Sequence, residues 1–97
     1  MVRYLALINF TEQGAKQFSQ TLQRSEAFEK AAQQAGASIK GLYWTVGRYD
    51  GVLVLEAPDE ATAIGLIAKL AADGNVRTQT LRALDRNEMK AVVAKMR

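Results

Sequence analysis

The chain has 97 residues, 48% of them hydrophobic, and a formal net charge of +3, which suits a single globular domain spanning residues 1–97. It contains no cysteine and no histidine, which excludes disulfides, thiolate metal sites, cysteine nucleophiles, Ser-His-Asp triads and the usual zinc sites. Any acid–base chemistry would fall to Asp, Glu, Lys or Tyr, and neither a metal nor a cofactor is expected.

The opening segment Val2–Phe10 alternates, with Tyr4, Ala6, Ile8 and Phe10 on one face and Leu5, Leu7 and Asn9 on the other. Both faces are mostly apolar, so this strand is expected at the centre of a sheet rather than as a signal peptide. Thr11 is a candidate N-cap for a short polar helical start. A firmer helix is expected from about Ser25 to Gln34, with Phe28, Ala31, Ala32 and Ala35 as its apolar stripe and Gly36 as its stop. Ser38–Val46 and Tyr49–Ala57 are the second and third strands. Pro58 ends the third, and Asp59 caps a helix from about Glu60 to Ala72 whose inward stripe is read as Ile64, Ile67, Ala68 and Ala71. After Gly74 comes a more polar strand, Val76–Leu84. Asp85 then caps a last helix in which Met89, Val92, Val93 and Met96 recur on one side.

The order is β-α-β-β-α-β plus a C-terminal helix, an α+β ferredoxin-like arrangement with an antiparallel sheet. In that topology the two apolar strands, first and third, lie side by side in the middle. Right-handed crossovers put both connecting helices on one face. The other face would keep exposed aliphatic surface, so a face-to-face homodimer of the α+β-barrel type is expected. No run reaches the ~18 apolar residues of a membrane span, and the lack of cysteine fits a reducing cytoplasm, so a cytoplasmic protein is expected.

Charge is uneven. Residues 1–73 carry 7 Lys/Arg against 8 Asp/Glu (7 − 8 = −1), and residues 74–97 carry 6 against 2 (6 − 2 = +4). Arg86, Lys90, Lys95 and Arg97 fit the solvated face of the last helix better than a patch for an anionic partner. No phosphate-binding glycine loop appears. RNA-binding motifs are missing too, so nucleic acid is not an expected partner.

The hairpin between the second and third strands draws attention. Gly47-Arg48 suits one tight turn and Asp50-Gly51 another. The first would set Gly51 opposite Trp44. Gly47-Arg48-Tyr49-Asp50, followed by Glu56-Ala57-Pro58-Asp59 and by the stretch from Gly74 to Ala83, closely resembles the GYD family, named for its G-x-Y-D signature. The resemblance covers nearly the whole chain. It implies a ferredoxin-like, dimeric α+β-barrel protein of the small prokaryotic kind, and it carries no catalytic role onto Gly47, Tyr49 or Asp50.

Three functional readings stand. The first is a homo-oligomer that binds a small organic or anionic ligand at the sheet rim, through Tyr43, Arg48, Tyr49, Asp50, Arg77 and Thr78. Arginine's planar fork suits carboxylate or phosphate. The second is a cofactor-independent enzyme of oxygenase, isomerase or dehydratase type, with Asp50 as its base. The third is a purely structural or interaction domain in which the same residues serve turn and interface geometry.

Overall fold

In a computed structural model, which describes residues 1–96, the elements run β1 (Val2–Phe10), α1 (Glu12–Lys16), a single 3₁₀ turn at Phe18–Gln20, α2 (Thr21–Gln34), β2 (Ser38–Trp44), β3 (Gly51–Ala57), α3 (Glu60–Ala72), β4 (Val76–Arg82) and α4 (Arg86–Ala94). The sheet order is β2-β3-β1-β4, antiparallel throughout. The two apolar strands therefore lie in the middle and the two more polar ones at the edges, as the strand polarities require.

The register settles which face is which. Tyr4 pairs with Leu55, and Ala6 with Leu53. These four side chains are buried on the side of the sheet that also buries Ala32 of α2 and Ala63, Leu66 and Ile67 of α3. The stripe that α3 turns inward differs from the one read in the sequence: Ala63, Leu66 and Ile67 are buried, whereas Ile64 is about half exposed and Ala68 and Ala71 face solvent. Both stripes have helical spacing and share Ile67. The observed one puts Leu66 and the half-buried Leu70 on the covered side, so that both leucines of α3, rather than a second isoleucine and two alanines, are withdrawn from solvent.

Three helix starts are capped as the sequence predicts. Thr11 Oγ1 accepts from Gly14 N, Asp59 from Thr62 N and Asp85 from Glu88 N. The last forms a capping box, since the Glu88 carboxylate returns to Asp85 N. At the start of β4, Thr11 Oγ1 also donates to the Gly74 carbonyl at 2.6 Å, and Gln13 reaches Asn75. Gly14 is buried against the Asn75 backbone, where a β-carbon would collide with the Asn75 carbonyl oxygen.

Between Ile39 and Gly41 the β2–β3 pairing carries a bulge. The extra residue lets Ile39 and Leu42, three apart, both point toward the helices. Beyond the bulge, Trp44 pairs with Gly51, the register that the Gly47-Arg48 turn sets. The strands nevertheless stop at Trp44 and restart at Gly51, short of the tight hairpin expected. Thr45 to Asp50 form an open loop closed by Thr45 N donating to the Asp50 carbonyl at 2.9 Å.

Candidate functional site

The loop is wide because its Tyr49 and Asp50 side chains bond across the sheet rather than within the turn. Asp50 N donates to the Ile8 carbonyl, while the Asp50 carboxylate accepts from Phe10 N, both at 2.8 Å. The carboxylate thus replaces the main-chain acceptor that β1 loses where the loop leaves the sheet. Tyr49 passes over the end of β1, and its hydroxyl donates to Gln79 Oε1 on β4 at 2.9 Å. Asn9 Nδ2 donates to the Arg48 carbonyl. Thr45 Oγ1 donates to the Tyr49 carbonyl at 2.6 Å. Gly47, at φ +139°, lies where only glycine is comfortable, and the Arg48 guanidinium lies over the Tyr49 ring, 5.8 Å from its centroid.

Not all six residues expected to hold a ligand converge. Arg48, Tyr49 and Asp50 gather at the loop, and Arg77 is close by on β4, paired with Asn9. Thr78 pairs with Ile8 and so lies on the helix-covered face. Tyr43 pairs with Val52 on the open face and is 65% exposed. Tyr43 and Asp50 also border a cavity of about 250 Å³ beneath the helices. Among the described residues no group of acidic side chains is placed to hold a metal ion.

At the opposite end of the open face is an ionic cluster that strand patterning did not single out. Arg3 pairs with Glu56 across β1 and β3. Its guanidinium lies 2.8 Å from the Glu56 carboxylate, 2.9 Å from Glu88 and 3.6 Å from Asp85. Arg82 adds a contact to Glu88 at 3.8 Å. Thus one arginine on the central strand holds the first turn of α4. Asp85 is held below the usual carboxylate range mainly by the Glu88 N–H, and Glu88 mainly by the Asp85 N–H and then by Arg3.

Between the two ends, the open face is aliphatic. Leu5 pairs with Val54 and Leu81, and Leu7 pairs with Val52. None of these side chains has a helix above it. Leu81 is 43% exposed, and Met89, Val92, Val93 and Met96 of the C-terminal stripe are exposed as well. That stripe is therefore not covered by the rest of its own chain. With extents of 52 × 31 × 19 Å, the molecule is elongated.

This is a ferredoxin-like α+β domain with one sheet face covered by helices and one left bare. Its loop signature and its topology agree with the sequence comparisons: the GYD domain family matches residues 4–93, and the chain belongs to that family. It is similar to a protein of Thermus thermophilus named glutamine synthetase and cystathionine beta-lyase binding protein. The two are 32% identical over 85 residues, covering 87% of this chain and 90% of the relative. No solved structure gives a significant match. No helix among the described residues is long and apolar enough to cross a membrane.

Proposed function

We propose that the protein is a cytoplasmic, homodimeric interaction domain whose subunits meet through the open sheet face and α4. The observation that carries this reading is the aliphatic face of Leu5, Leu7, Val52 and Val54 on the two central strands, continued by Leu81 on the edge strand β4, while Tyr4, Ala6, Leu53 and Leu55 on the other face of the central strands are buried under the helices. A second copy is the occupant that the dimensions favour. Three strands of seven residues and one of nine, four abreast, share a face of roughly 19 by 23 Å, or about 440 Å² in plan. A stable interface needs about 800 Å² per partner. The sheet alone falls short, and the apolar stripe of α4, tethered beside it by Arg3, supplies the remainder.

The relative's printed name supports a protein partner in addition to self-association, so the dimer is read as a platform for binding another protein. The loop residues Tyr49 and Asp50 serve this reading as a clasp that fixes the β2–β3 hairpin against β1 and β4. A catalytic Asp50 is the weaker reading, because one carboxylate oxygen is bonded to the Phe10 N–H.

The test uses exposed positions, so that folding is not at issue. Leu81→Lys and Tyr43→Lys should each keep the circular-dichroism spectrum and shift the sedimentation equilibrium toward monomer. Both variants remaining dimeric with unchanged affinity would contradict an interface on this face.

A further inference from the structure

We infer that the cleft between α2 and α3, on the face of the sheet opposite the proposed dimer interface, binds a small ligand with an apolar, ring-sized body and an anionic head.

The cleft is bordered by large side chains and left open where three small residues stand. α2 presents Ala27 and Ala31, and β3 contributes Gly51, which brings no side chain to the floor. The space left between α2 and α3 at the C-terminal end of β1 is about 250 Å³. An apolar cavity of roughly 150 Å³ accommodates benzene, so this one takes a ring with a short substituent. Its walls are suited to such a body. Phe10, Phe28 and Trp44 supply aromatic surface, and Ile8, Leu53 and Leu66 supply aliphatic surface. These groups have no hydrogen bond to offer except the indole N–H. The neutral polar lining residues are engaged within the protein, Ser25 Oγ with the Leu22 carbonyl, Thr21 Oγ1 with Arg24 and Asn75 Oδ1 with Gln13, so the buried part of the ligand is mainly hydrocarbon or arene.

Charge enters only at the mouth, from four lining residues: Arg24, Lys69, Asp50 and Asp73. They are not equivalent. Asp50 already accepts from Phe10 N, and Asp73 is an exposed C-cap residue at the end of α3. Arg24 is half-buried on α2, and its guanidinium is steadied by the Gln17 carbonyl at 3.1 Å and Thr21 Oγ1 at 3.2 Å. Both of those acceptors are neutral. Among the described residues neither Arg24 nor Lys69 is paired with a carboxylate. A guanidinium has five N–H donors, and Arg24 therefore keeps donors for an incoming carboxylate, in the forked geometry that arginine favours. The mouth thus offers a positioned cation above an apolar chamber.

Trp44 is the sole tryptophan of the chain, so its fluorescence reports on this cleft without labelling. Titrating the full-length protein with 3-phenylpropionate should give a saturable change in Trp44 emission. The matched alcohol, 3-phenylpropanol, should bind more weakly, and 3-phenylpropylamine most weakly of the three. Arg24→Gln should weaken the carboxylate by about ten-fold or more and leave the alcohol unchanged. Ala31→Phe, which fills the chamber, should abolish binding of all three, with the thermal melt reporting that the variant is folded. The dimer-face variant Leu81→Lys should bind as the wild type does, which separates failure of this site from failure of the interface. No saturable change with any of the three compounds would overturn the inference. So would tighter binding of the amine than of the carboxylate, or unchanged binding in Ala31→Phe or Arg24→Gln.

Discussion

The two faces of the central strands are built from nearly the same residues and have opposite fates. On β3, Leu53 and Leu55 are 1% and 0% exposed, while Val52 and Val54, their immediate neighbours, are only half-buried. On β1 the pair Tyr4 and Ala6 is sealed and Leu7 on the other face is only half-buried, the contrast fading toward the cleft, where Ile8 and Phe10 are half-buried as well. Side-chain hydrophobicity does not distinguish the faces; the presence of α2 and α3 over one of them does. A strand that is apolar on both sides asks for two covers, and this chain supplies one. In the proposed dimer the second cover is the same face of another copy of the chain.

The largest expected effect breaks the comparison directly. Leu53→Asp places an unpaired charge beneath the helices and should cost about 3–5 kcal/mol or more, enough to unfold a domain of this size. Val54→Asp, one residue away, should preserve the far-ultraviolet spectrum and instead dissociate the dimer. Thermal melts and sedimentation of the two variants side by side distinguish the faces. Equal loss of structure in both would mean that Val54 is needed within the subunit.

Removing residues 86–97 takes away the part of the interface that α4 is proposed to supply. The shortened chain should sediment as a monomer, with its sheet retained. Unchanged mass and melting would assign α4 no share in assembly.

A smaller effect belongs to the packed side. Gly14→Ala drives a β-carbon into the Asn75 carbonyl, a backbone atom that cannot swing aside, and should cost about 1–3 kcal/mol, read as a lower melting temperature. Gly47→Val meets no neighbour but must adopt φ +139°, at a cost of about 1–2 kcal/mol. That the first loss exceeds the second is the expected order, because one position is enclosed and the other is on an exposed loop.

Acid acts on the tether of α4. Asp85 and Glu88 have carboxyls held below their ordinary range in the folded protein. Their contribution is therefore complete above the unfolded value of about pH 4 and is lost as pH falls through the lower folded values. Below about pH 4 the amides of α4 should exchange faster than those of β1 and β3, as hydrogen exchange would show. Uniform protection across both regions at pH 3 would contradict a tether made by these carboxylates.

The strand order could be read from polarity alone, since only Val2–Phe10 and Gly51–Ala57 are apolar on both faces. The caps Thr11, Asp59 and Asp85 were legible for a similar reason: each is a short polar acceptor directly before a helical pattern. Other features were not. The loop from Thr45 to Asp50 offered two tight turns, and neither forms, because Tyr49 and Asp50 bond to Gln79 and to Phe10 N, partners that are remote in sequence. The inward stripe of α3 was ambiguous, since two stripes share the same spacing. Nothing in the strand pattern marks Arg3. Its role depends on the direction in which α4 leaves the sheet, which no local pattern encodes. The cleft was hidden as well, because alanines at helical spacing read as close packing and here leave a gap.

In the proposed assembly the open face is covered by a second copy of this chain. Sedimentation equilibrium of the wild-type protein at micromolar concentration and neutral pH measures that state directly. The monomer mass is 10.6 kDa, and a homodimer gives a species of twice that mass that persists on dilution through the low micromolar range. A single species at the monomer mass throughout that range would contradict it.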